Sequence, residues 1–293
     1  MKKNNRLRKM PFSAKVMLVL LLIYVASVLF VYLWGVFTSL KTEKQFMNQM
    51  VFPTFPLTFA NYAKSLDLFT TRILKDGRIL IIGFGGMLKN SLVYCFLCGV
   101  IGIGTTWLVA YLTAAFPGRA SKCIYSMVLV VMTIPIVGSM PSSLMFYKSL
   151  GLYDTWGYVC LSSIGFVGSN YLILHAFMSG LSRETREAAE IDGAGRFTIM
   201  LKIAFPQTTN ILSILLTTSF IGHWNSYMPM VVWLPSKPSL MYGMYRFSTN
   251  STSGARWPNV QMAGAMILMA PVLILFILFK DKIIGGVKVS VSK

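Results

Sequence analysis

Three carboxylates and two guanidiniums crowd one short stretch, Arg186, Glu187, Glu190, Asp192 and Arg196, within "REAAEIDGAGRFTIMLKIAFPQ". An enzyme would need such groups to converge with a His/Asp/Glu or Cys/His partner at one depth. The two histidines, His175 and His223, lie apart in separate apolar runs. The stretch therefore reads as a docking or connecting element. Cys95 and Cys98 form a C-x-x-C inside another apolar run, where helical spacing puts both on one face as small buried hydrophobes. No further ligands accompany them, so neither a metal site nor a disulfide framework follows. A third group is "GHWNSYMP", with His223, Trp224, Asn225 and Tyr227, to which Asn170 and Tyr171 add similar chemistry. Aromatic faces with amides and hydroxyls suit a sugar, and the same residues suit an interfacial aromatic belt with helix-packing amides. "GVIGIG" at 99–104 has no strand before it, and no GxxxxGK[ST] occurs in the chain. Any ATP chemistry must belong to another protein.

The elements that carry these residues are set by apolarity. Of 293 residues, 55% are hydrophobic and only 12% charged, too few charges to cover a soluble domain. The reading is an all-α polytopic membrane protein. Six spans fit apolar length and flanking charge, at 16–37, 90–114, 123–147, 157–178, 208–232 and 259–279. The first is too long for a typical signal h-region and is read as a retained helix. Residues 38–89 form an extracytoplasmic segment, in which "FPTFPLTFANY" is extended by its prolines and "ILIIGFGGM" leads into the second span. Pro135 and Pro141 kink the third, as a structural bend or to open a polar path. A core of 90–280 carries a loop at 179–207, between a basic segment at 1–15 and a tail at 281–293. The net charge of +18 sits mainly beside apolar runs, which fits lipid headgroups and not nucleic acid. The bias of Lys and Arg puts both termini and the charged loop in the cytoplasm.

The spans lack what an ion-coupled carrier needs. No carboxylate falls within them. A secondary transporter stays the alternative, but the driving energy is expected from a separate protein. Ser182 can cap a helix starting at Arg183, with Glu184 in its first turn, and Gly193 can end it. A second helical run then leads to Pro206. Ala188, Ala189 and Ala194 give small surfaces that allow close approach. A solvated amphipathic connector fits this spacing as well as a docking segment does.

The spacing Glu187-Ala188-Ala189, Gly193, Ile203, Phe205-Pro206 resembles the signature of permease subunits of ABC importers, with Phe205 in place of the usual Leu. "DGA" at 192–194 and Phe197 look like the carbohydrate-uptake, maltose-type branch, as do "FANY", "KNSL", "AYLTAAFPGR" and "GHWNSYMPMVVWL" in that order. The resemblance implies an inner-membrane permease with a cytoplasmic coupling helix, importing sugars, in particular oligosaccharides from a polysaccharide. It implies four kinds of partner: a second homologous permease, two ATP-binding subunits, an extracytoplasmic solute-binding protein, and the sugar itself. It assigns Glu187, Ala188, Ala189, Asp192, Gly193, Ala194, Phe197 and Pro206 to ATPase coupling. No cofactor is expected on this chain; ATP and Mg would be used by the partner subunits.

Overall fold

In the computed structural model, residues 11–75, 77–135, 138–249 and 257–291 are described. The basic stretch up to residue 10, the two residues after Pro135, residues 250–256 and the last two residues lie outside them. The chain divides into two compact units, 1–69 with 246–269, and 70–245 with 270–293.

In the first unit, helix α1 (Phe12–Ser39) is apolar on every side, with Leu20 to Tyr24 all more than half exposed. A helix satisfies its own backbone, so such a surface suits hydrocarbon. After it, α2 (Glu43–Asn48) opens with a capping box. The Thr42 hydroxyl accepts from the Gln45 amide at 3.3 Å, and the Gln45 side chain accepts from the Thr42 amide at 2.8 Å. Helix α3 (Ala60–Leu68) follows.

The second unit begins with strands β1 (Thr71–Lys75) and β2 (Arg78–Ile82), paired antiparallel with Lys75 opposite Arg78. This hairpin is a local exception in a chain that is otherwise mostly helical, as expected. "ILII" leads into the next helix as a strand, turned at Gly77, whose φ is +73°. Then come α4 (Phe84–Ala115), α5 (Arg119–Thr133), α6 (Met140–Ser149), α7 (Trp156–Ser163), α8 (Ser169–Ser179) and α9 (Arg183–Ile191). Next, α10 (Arg196–Ile199) passes through a π turn (Met200–Ala204) into α11 (Phe205–Trp224), followed by α12 (Met228–Val232). Helices α13 (Leu240–Thr249) and α14 (Pro258–Val291) contribute residues to both units.

Among the described residues, four helices are long and apolar enough to cross a membrane: Phe12–Ser39, Phe84–Ala115, Arg196–Trp224 and Pro258–Lys280. The third and fourth expected spans are each two half-helices instead. Between α5 and α6 lies Pro135, and Pro141 sits in the first turn of α6, where a missing N–H costs nothing. Between α7 and α8 the chain leaves the helix at Ile164 and returns after Gly168.

α4 is the central post of this unit. Ile103, Trp107, Ala110 and Tyr111 bury against Tyr171 and Leu174 of α8 and Leu212 and Leu215 of α11. Two polar contacts fix the register. The Trp107 indole donates to Thr208 Oγ1 at 2.9 Å, and the Tyr171 hydroxyl to Thr113 Oγ1 at 3.0 Å. Buried donors with partners specify one packing arrangement.

Candidate functional site

The charged loop folds as its spacing dictates. α9 runs from Arg183 to Ile191, although Ser182 makes no side-chain cap bond. At its end, Gly193 has φ +80°. The Gly193 amide donates to the Glu190 carbonyl at 3.1 Å and the Ala194 amide to the Ala189 carbonyl at 2.9 Å. That pair of bonds is a Schellman ending, which only a residue tolerant of the left-handed region closes without strain. The second run is not a separate short helix. From Arg196 it continues through the π turn into α11. Pro206 stands in the first turn after that widened segment, which accommodates a ring that cannot donate to the ladder.

Two arginines fasten this segment to the end of α4. Arg186 Nη1 donates to the Ala115 carbonyl at 2.8 Å, and the Arg196 guanidinium lies 5.4 Å from the centre of the Phe116 ring. Ser121 Oγ donates to the Thr113 carbonyl at 2.5 Å, closing the turn between α4 and α5. Phe205, at the motif's usual Leu position, meets Trp107 edge-on at 5.5 Å. The outer side is open. Ile191 is 86% and Phe197 69% exposed, while Glu187, Ala188, Asp192 and Gly193 are exposed and Ala189 and Ala194 half-buried. The result is a rigid, clamped element presenting apolar side chains beside carboxylates.

The residues suggested for a sugar path separate. Asn170 and His223 line one cavity of about 420 Å³. Tyr171 is fully buried in the core through its bond to Thr113. Trp224 is buried and stacks on Phe220, with ring centres 5.5 Å apart. Asn225 donates back to the Ile221 carbonyl, and Tyr227 stacks on Tyr245 at 4.5 Å. Residues missed from the sequence complete the cavity: Tyr94, Tyr158, Ser162, Ser163, Ser169 and Ser219. Tyr94 meets His223 edge-on at 5.5 Å. The break between α7 and α8 forms part of the wall through Gly165 to Gly168. Its exposed backbone is approached by α4, where the Thr105 and Thr106 hydroxyls share their protons between the Gly165 carbonyl, at 3.2 and 3.1 Å, and the nearer carbonyls of Ile101 and Gly102 in their own helix, at 2.8 and 2.7 Å. The run "SSIGFVGS" at 162–169 was the available signal. The chemistry on offer is hydroxyls, an amide and aromatic faces, without charge.

The chain matches the family of binding-protein-dependent transport system inner membrane components over residues 102–286. It is 24% identical to the sulfoquinovosyl glycerol transport system permease protein SmoH of Agrobacterium fabrum, over 88% of this chain and 86% of that one. It is 23% identical to the melibiose/raffinose/stachyose import permease protein MelC of Bacillus subtilis, over 87% and 88%. Its fold resembles that of a bacterial ABC transporter involved in the import of the acidic polysaccharide alginate, with a TM-score of 0.72 at 19% identity, covering 96% of this chain and 98% of that one. A clamped loop carrying the family signature, apolar spanning helices and a match over more than half the length agree: the chain belongs to the family of binding-protein-dependent transport system inner membrane components, and is a membrane transport subunit, not an enzyme.

Proposed function

We propose that this chain is one half of the membrane pore of an ATP-driven sugar importer that works by alternating access. Six crossings account for the fold: α1, α4, α5 with α6, α7 with α8, α10 through α11, and α14. The excess of Lys and Arg beside the first span puts both termini and α9 in the cytoplasm. A second permease subunit, two ATP-binding subunits using ATP and Mg, and an extracytoplasmic binding protein complete the assembly. The named relatives move a sulfosugar glycoside and small oligosaccharides, and the cavity between α4, α7, α8 and α11 offers neutral sugar-binding chemistry. Oligosaccharide is therefore the substrate class.

One observation carries the coupling role. α9 ends in a fixed Schellman turn, is clamped by Arg186 to the end of α4, and leaves Ile191 and Phe197 bare. Exposed apolar side chains on a rigid element mark a docking face, and Glu187 and Asp192 add charge to it. Closure of an ATP-binding subunit on this face would move α4 and α11 together, which is a rigid-body way to reopen the cavity on the other side. The reconstituted complex is expected to hydrolyse ATP faster when binding protein and substrate are added outside. Uptake driven by an ion gradient without ATP would overturn the reading.

A further inference from the structure

A second cavity, of about 470 Å³, lies against the charged segment and shares no lining residue with the first. Its walls come from the end of α4, the start of α5, the end of α8, α9 and the π turn. Three groups that carry or can carry positive charge line it: Lys122 of α5, Arg186 of α9 and His175 of α8. Ser126 and Ser182 bring hydroxyls and Gln207 an amide, while the Ser121 hydroxyl is already given to the Thr113 carbonyl. No carboxylate is among the lining residues. Arg186 spends one nitrogen on the Ala115 carbonyl, but its Nε is buried with no hydrogen-bond partner. The nearest carboxylate oxygen, on Glu190, is 3.7 Å from that Nε. Clefts of roughly 300–1,000 Å³ accommodate small molecules.

The geometry points to a binding site for a phosphate-bearing ligand, held between Lys122 and Arg186 with serine hydroxyls around it. Phosphate oxygens match both a guanidinium and an ammonium, and hydroxyls complete their coordination. The ligand is either a soluble sugar phosphate or the headgroup of an anionic lipid. Either occupant would tie α9 to the start of α5 and restrain the coupling segment, so it would slow transport. This consequence rests on the coupling role of α9; the binding itself does not.

The test uses the assembled transporter in phosphatidylcholine nanodiscs, with radiolabelled glucose 6-phosphate as probe. Saturable binding is expected, displaced by inorganic phosphate and not by glucose. Lys122→Gln should weaken it on the order of tenfold, the loss expected for one charge-assisted hydrogen bond. Comparison with the variant removes any probe bound by the ATP-binding subunits. Repeating the measurement with phosphatidylglycerol in the nanodiscs separates the sources: displacement of the probe identifies the lipid headgroup as occupant, and undiminished binding identifies the soluble ligand. Equal binding by wild type and Lys122→Gln in phosphatidylcholine overturns the site. In proteoliposomes, glucose 6-phosphate enclosed on the α9 side should slow uptake in the wild type and leave Lys122→Gln unchanged. Binding with no effect on uptake overturns the restraint. Glu187→Lys alters the docking face at an exposed residue outside the cavity wall, so probe binding to that variant separates a failed site from a failed coupling role.

Discussion

At the residue scale, Gly193 is the sharpest case. Its φ of +80° belongs to the left-handed region, and a Cβ there meets nothing within 4 Å. Space is not the constraint; backbone conformation is. A β-branched side chain would carry a penalty of about 1–2 kcal/mol at that φ, while asparagine enters the region with less strain. Releasing the turn would break the bonds from Gly193 and Ala194 and turn the axis of α9 against α10. Gly193→Val is therefore expected to reach the membrane, bind its permease partner, and lose ATP-coupled uptake. Gly193→Asn should keep most of it. Normal uptake by Gly193→Val in proteoliposomes would mean that the angle between the two helices does not transmit force. Glu187→Lys tests the same face by charge. Glu187 is exposed and makes no clamp contact, so its reversal should leave the fold intact and weaken attachment of the ATP-binding subunits, read as their loss on co-purification.

At the element scale, the informative feature is the break between α7 and α8. A non-helical stretch between two apolar half-helices would leave carbonyls without partners, which hydrocarbon does not forgive. The hydroxyls of Thr105 and Thr106 on α4 meet the Gly165 carbonyl and make the break tolerable. Replacing both threonines by valine keeps shape and removes the donors. The expected cost is about 0.5–1.5 kcal/mol, the net worth of a hydrogen bond whose acceptor stays exposed. It would be measured as a lower melting temperature in detergent and, if the cavity carries sugar, as a raised KM for uptake. An unchanged KM would remove the cavity from the transport path. The same break explains what could be read in the sequence. Apolar length located α1, α4, α11 and α14 because each is a continuous helix. It merged α7 with α8 and α5 with α6, because mean apolarity does not register a short break between two apolar half-helices. Likewise the hairpin that pairs Lys75 with Arg78 went unread, because the apolar tail of the second strand ran into the next span and hid it. The bend of the charged segment was legible at Gly193 and Pro206, which are local signals, whereas the Ser182 cap did not form and the second run merged into α11. The cavity was half legible: Asn170 and His223 reach it, whereas Tyr171 and Trp224 are drawn into packing, a distinction that depends on which face of a helix meets a neighbour.

At the scale of the whole chain, residues far apart in sequence meet in one buried polar knot. The Lys41 carbonyl accepts from Asn61 Nδ2 at 2.7 Å and from Asn259 Nδ2 at 2.9 Å, across 218 positions in the second case. Asn61 Nδ2 also reaches the Ser39 carbonyl at 2.7 Å. Lys41 itself is fully buried, with its ammonium donating to the carbonyls of Gln49 at 2.7 Å and Met50 at 3.1 Å. The knot thus fastens the end of α1 to α3 and to the start of α14, within one unit. Burial lowers the Lys41 pKa from its ordinary 10.5, since no carboxylate offsets the lost hydration. The sign follows. Between the lowered folded value and 10.5 the unfolded chain binds more protons, so this group adds stability as pH rises through that window, and its cost is full below it. Lys41→Met removes the titration and also leaves the Gln49 carbonyl without its donor. The variant should melt lower at neutral pH, and the gap to wild type should widen as pH approaches 10.5, because only the wild type gains from losing the proton. Other lysines titrate alike in both proteins and cancel in the difference. A gap that narrows over that range would show that the two carbonyls hold the ammonium strongly enough to outweigh its burial, and that the knot is built on the charge and not in spite of it.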